Sequence, residues 1–153
     1  MPSIRDFMSS DHRHCDDLFA AVEAALEHAQ AERLPAAQAA FASFATAIEA
    51  HFTAEETLLF PAFEEASGMR FGPTAVMRDE HEQMREQIRL AGDALAAGSA
   101  DDYAGEAETL LILMQQHNVK EEGILYPMCD RQLAAGAEQL VGQIAGCMSG
   151  AGA

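Results

Sequence analysis

Four stretches of this chain carry apolar residues at alternating steps of three and four, and each of these seams is broken by histidine or glutamate where leucine or isoleucine would otherwise stand. The first runs His12, Cys15, Phe19, Val22, Leu26. The second runs Phe41, Phe44, Ile48, His51, Glu55, Leu58, Ala62. The third is Met77, His81, Met84, Ile88, Ala91, Leu95, and the fourth is Leu110, Met114, His117, Glu121, Ile124, Met128. Such spacing is the inward stripe of an amphipathic helix, so four helices each turn an ionisable or imidazole side chain toward a shared interior. A buried polar group without a partner costs about 1–3 kcal/mol, and an unpaired carboxylate far more. Six such groups (His12, His51, Glu55, His81, His117 and Glu121) need something that neutralises and coordinates them together, and a metal does both.

The punctuation between the seams sets the organisation. Ser9, Ser10 and Asp11 are cap candidates for the first helix, Pro35 opens the second, Ser67-Gly68 and Gly72-Pro73-Thr74 separate the second from the third, and Gly98-Ser99-Ala100-Asp101 leads into the fourth, with Asp101 as its cap. The expected helices are 10–30, 35–66, 74–97 and 102–130. Pro61 and Pro127 should bend or loosen their helices one turn beyond the acidic ligands. The composition is rich in helix formers and free of tryptophan. The expected fold is therefore all-α, an antiparallel up-down four-helix bundle over residues 1–133. Residues 134–153 should add a short helix over 134–145 and a frayed SGAGA tail, packed on or beside the same domain.

Two segments repeat each other: HFTAEETLLFPAFE at 51–64 and HNVKEEGILYPMCD at 117–130 share the histidine, both glutamates, a leucine and the proline in register. Asp11-His12 and Glu80-His81 form a weaker second match, so the chain reads as two related helix pairs facing one centre. In each HxxxE the two residues lie one turn apart on the same face. Four imidazoles and two carboxylates suit two ions bridged by the carboxylates, with two imidazoles on each and positions left for solvent or a small ligand. These donors suit iron, manganese or zinc.

Composition narrows the partners. With 25 acidic against 9 basic residues the net charge is −16, which disfavours nucleic acid and anionic membrane surfaces. No apolar run is long enough to span a bilayer and no secretory signal is visible. Cys15, Cys129 and Cys147 form no framework, as expected of a reducing, cytoplasmic setting. The oligomeric state is not encoded in any of these features.

The combination of DHRHCD at 11–16, HFTAEE at 51–56, DEH at 79–81 and HNVKEE at 117–122 resembles the hemerythrin family, specifically its HHE cation-binding domains, over about residues 8–130. The resemblance implies a bundle holding an oxo- or hydroxo-bridged pair of irons that binds O2 or related ligands, with zinc or manganese as substitutes. It departs from the oxygen carriers in two places. Arg85 stands four residues after His81 where a carrier has a further histidine, and the fourth helix has its carboxylate at HxxxE rather than at a longer spacing. Both point to the HHE branch, and the absent histidine at position 85 points away from simple oxygen carriage.

Neighbouring residues are read more openly. His12 lies on the first seam and His14 about 200° further round, so His12 is preferred as a ligand. His28 is read as a surface residue. Glu56 and Glu122, one position off their seams, either orient imidazoles or face solvent. Cys15 is a small core residue or a thiol that senses oxidation. Met77 and Met84 are expected to wall a ligand pocket. Tyr126 either packs, hydrogen-bonds near the site or approaches a metal, and Arg85 pairs with an acid or guards an open coordination position. The leading function is binding of O2, nitric oxide or peroxide for sensing, buffering or iron homeostasis. Catalase-like or ferroxidase activity, iron–sulfur centre repair and a metal-free interaction bundle with a polar core are the alternatives.

Overall fold

The computed structural model describes residues 2–27 and 33–151, which form helices joined by short turns, with no strand among them. Helix α1 is Ile4–Glu27 and α2 is Arg33–Ala54. A single π-helical turn, Glu55–Leu59, carries α2 into α3, Phe60–Ser67. Helices α4, Pro73–Ala96, and α5, Ala100–Lys120, follow. A second π turn, Glu121–Leu125, leads into α6, Tyr126–Gln132. A short 3₁₀ turn, Ala134–Gly136, precedes α7, Ala137–Ala151. The expected surface position of His28 lies outside the described residues.

The third expected helix matches α4 to within a residue, but the start of the first does not match. Helix α1 begins at Ile4 rather than residue 10, so Ser9, Ser10 and Asp11 lie inside it. Its first amides are met from elsewhere: Asp6 N donates to Ser3 Oγ at 3.0 Å, and the Asp130 carboxylate accepts from Ile4 N at 2.8 Å and Arg5 N at 3.2 Å. The added turn is held by burial, since Ile4 and Met8 are fully enclosed. At α5 the cap is Ser99, whose hydroxyl accepts from Asp102 N at 3.1 Å, and Asp101 sits in the first turn as a favourable acid. Gly68 and Gly98 take φ of 75° and 79° just past α3 and α4, where a Cβ would be strained.

Both π turns fall on the duplicated segments, each beginning at the ligand-type glutamate. The amides of Phe60 and Tyr126 donate to the carbonyls of Glu55 and Glu121, five residues back. Pro61 and Pro127 follow at once. Neither can donate an amide, and each would crowd a carbonyl one turn behind in a regular α-helix. The loosening expected after the ligands therefore begins at the ligands themselves. One consequence is a slip in the seam. Leu58 and Ala62 are only half-buried while Leu59, Phe60 and Phe63 are enclosed, and Ile124 is 58% exposed while Leu125 is at 1%. The α-helical count failed here because each π turn inserts one residue.

Helix α1 packs on α2, α4 on α5, and α2 on α4, while α7 lies against α2 and the first π turn. Within the first pair the Leu26 carbonyl meets Arg33 at one end and Asp11 meets His51 further along; in the second, Gln87 meets Glu106 and Glu80 meets His117. The apolar interior divides into two clusters. One gathers Ile4, Met8, Leu59, Phe60, Phe63, Met77, Leu125, Tyr126 and Cys129 with Leu140, Val141 and Ile144 of α7. The other gathers Cys15, Val22, Phe41, Phe44, Ile48, Phe52, Met84, Leu95, Leu110 and Met114. The polar side chains of the seams lie between them. Helix α7 runs beyond the expected 145 through Ser149 and Gly150, because Leu140, Val141 and Ile144 have a cluster to cover.

Candidate metal centre

All six seam residues meet in this belt, each 5% exposed or less. Ligand-type atoms of Glu55, His81, His117 and Glu121 lie within 4.8 Å of one another, and so do those of His12, His51 and Glu121. Either group could hold a cation, and the two share Glu121. Glu55 Oε1 lies 3.3 Å from His51 Nε2 and 3.2 Å from His81 Nε2, and Glu121 Oε1 lies 3.0 Å from His12 Nε2 and 3.1 Å from His117 Nε2. Each carboxylate thus faces one imidazole of its own helix and one of a neighbouring helix.

The other nitrogen of every ring is held by a second acid. His12 Nδ1 pairs with Glu122 at 2.7 Å, His51 Nδ1 with Asp11 at 2.8 Å, His81 Nδ1 with Glu56 at 2.7 Å and His117 Nδ1 with Glu80 at 2.9 Å. In chain order the pattern is a ring: α1 holds the histidine of α2, the first π turn that of α4, α4 that of α5, and the second π turn that of α1. A carboxylate on Nδ1 fixes the tautomer and leaves the Nε2 lone pair pointing inward, the arrangement usual for imidazoles that bind metal. Asp11 and Glu80 were visible in the sequence only as neighbours of His12 and His81. Their partners are not those histidines, because adjacent residues on a helix point ~100° apart.

The inner face is left unsatisfied. Four of the five side-chain atoms buried without a hydrogen-bond partner among the described residues are Glu55 Oε1, His81 Nε2, His117 Nε2 and Glu121 Oε2. Buried polar atoms are normally paired, so four orphans converging on one point fit a cation that all would share. Burial opposes charge on His117, yet Glu121 and Glu80 raise it to about 9. His51 is likewise raised against burial by Glu55 and Asp11, while Glu55 is held low by His51 and His81 despite its own burial.

Arg85 Nη1 and Nη2 each lie 2.9 Å from a Glu56 oxygen, its Nε lies 2.9 Å from Glu49, and the guanidinium stacks over Phe52. It stands behind the acid that holds His81. Lys120 does the same for Glu80 behind His117. Tyr126 is fully buried with its hydroxyl in the centre, 2.7 Å from Glu55 Oε2 and 2.9 Å from Glu121 Oε1. The π turn brings it there, since residues five apart then share a face. Phe60, its counterpart, lies with its ring stacked on His81, as does Phe52. His14 is exposed.

Beside the His12–His51 position is a cavity of about 10 Å³ lined by Cys15, Ile48, Phe52, Met84, Met114 and Asn118. Met84 and Met114 are among its walls. Met77 lies in the other apolar cluster, with Phe60 and Tyr126. Burial and Asp11 push the Cys15 thiol up, which keeps it protonated and favours its reading as a small core residue.

The fold and the site together define a helical protein whose buried imidazoles and carboxylates could hold metal cations. A family model for the hemerythrin HHE cation binding domain matches residues 3–129, and the chain belongs to that family. No curated protein and no solved structure matches the chain.

Proposed function

We propose that this is a hemerythrin-like non-haem iron protein in which an antiparallel four-helix bundle holds two irons between His12, His51, Glu55, His81, His117 and Glu121. The carrying observation is the set of inward-facing, unpartnered Nε2 and carboxylate atoms, with every imidazole already oriented by an acid on its far nitrogen. His81 and His117 would hold one ion and His12 and His51 the other, with Glu55 and Glu121 between them; zinc or manganese would also suit these donors. The contacts within each helix pair, Asp11 to His51 and Glu80 to His117, support the bundle reading.

An iron pair supplies open coordination positions and one-electron chemistry to a small ligand such as O2, nitric oxide or peroxide. The protein's own contribution is selection and exclusion. The cavity beside His12 and His51 has room for about one water-sized molecule, which favours a diatomic and excludes larger substrates. Two apolar clusters close the belt from either side and keep bulk water out. The role that follows is sensing, buffering or iron homeostasis in the cytoplasm, without a nucleic-acid or membrane partner.

The optical spectrum of aerobic iron-loaded protein, with and without azide, tests this reading. Charge-transfer bands that change on adding azide are expected; a featureless spectrum at full iron content would contradict it. A second reading, peroxide- or oxygen-dependent catalysis, draws support from the six-donor set, one imidazole short of a carrier because position 85 is arginine. Oxygen evolution from peroxide above that of free iron would favour it.

A further inference from the structure

The two halves of the centre repeat in sequence but differ at one oxygen atom. Tyr126 Oη lies 3.1 Å from His12 Nε2, 3.4 Å from His51 Nε2, 2.7 Å from Glu55 Oε2 and 2.9 Å from Glu121 Oε1. All four neighbours are acceptors when each imidazole keeps its proton on the Nδ1 that faces an acid. A phenol has a single proton to give, so it satisfies one of the four and confronts the others lone pair to lone pair. Protons on both imidazoles relieve two of these contacts. A cation within reach of the phenol oxygen, the two Nε2 atoms and the carboxylate oxygens would draw all of these lone pairs to itself.

The equivalent place in the other half is filled by Phe60, which offers only a ring face to His81, 5.7 Å between centroids. That half also carries Arg85 behind Glu56 and Lys120 behind Glu80. No lysine or arginine pairs with Asp11 or Glu122 among the described residues. The His12–His51 half is therefore the more anionic and has the additional oxygen donor.

We propose that the two cation positions are chemically inequivalent, and that the one between His12 and His51 takes the Tyr126 phenolate oxygen as a further protein ligand. On loading, the O–H bond is given up, the proton leaves to solvent and the oxygen lone pair goes to the cation. The inference rests on the di-iron reading above, and the experiment separates the two.

Metal-free full-length protein is loaded with iron, oxidised in air, assayed for iron per chain and examined by resonance Raman spectroscopy in its visible band. Tyrosinate ring modes are expected at two irons per chain. They should vanish in Tyr126→Phe with iron content retained, and persist in Tyr103→Phe, which alters the chain's other tyrosine, packed against Phe41. Phe60→Tyr should strengthen the tyrosinate signal by placing a phenol in the second half. Two irons per chain without tyrosinate modes in the wild type would overturn the proposal and leave the di-iron reading intact. Failure to retain iron at all would overturn both. The wild-type spectrum decides the matter even if Tyr126→Phe does not fold.

Discussion

At the scale of single residues, the centre depends as much on its outer acids as on the groups that face inward. Asp11 holds His51 and Glu56 holds His81, each at hydrogen-bond distance and each partly reached by solvent. Asp11→Asn and Glu56→Gln should therefore fold normally but bind iron about 10–100-fold more weakly, as measured by competition with a chelator of known affinity. Unchanged affinity in both variants would remove the ring of acids from the account. The inward six were legible in the sequence because each occupies a place where a hydrophobic residue was due. The acids were not legible as partners. Each serves a histidine on a different helix, and a linear pattern records the face a residue occupies without recording which helix lies opposite.

Among the elements, the π turns separate the sequence reading from the structure most clearly. Helix α4 has no proline beyond its first residue and no bulge, and its seam of Met77, His81, Met84, Ile88, Ala91 and Leu95 is buried as counted except at Ile88, which is half-buried. Past Glu55 and Glu121 the same counting slips by one residue. The prolines at 61 and 127 signalled a loosening, but a signal of that kind does not say that a residue has been inserted before it. The slip has a measurable consequence. Leu125→Ala should cost about 2–5 kcal/mol, since Leu125 is enclosed between Tyr126 and the α7 cluster. Ile124→Ala should stay within about 0.5 kcal/mol. Denaturant unfolding of the two variants gives both values, and the reverse order would restore the uninterrupted helix. Helix α1 was misplaced for a related reason: Ile4 and Met8 bury against α6 and α7, partners too distant in the chain for local periodicity to reveal.

The molecule as a whole is two apolar clusters joined through a polar belt, so its stability should follow whatever neutralises that belt. In metal-free protein this is protons. His117 is raised from 6.5 to about 9, burial opposing and Glu121 and Glu80 prevailing. A raised histidine stabilises the fold fully below 6.5 and loses that contribution as the pH climbs through 9. The thermal midpoint of metal-free protein should therefore fall by several degrees between pH 6.5 and about 9. Iron-loaded protein, with its imidazoles already deprotonated by the metal, should not fall over the same window. A metal-free midpoint that is flat or rising there would contradict the electrostatic picture. Added iron should also raise the midpoint at neutral pH, each bound ion adding about 2.7 kcal/mol of stability at a free concentration one hundred times its dissociation constant.

The central claim is that six side chains, drawn from two related halves, form one site for a pair of ions. Anaerobic titration of metal-free protein with ferrous iron, followed by binding and by iron analysis after desalting, tests it most directly. The account predicts a break at two irons per chain in the wild type and a smaller content in His117→Ala. A break at one iron, or wild-type content in that variant, would contradict it.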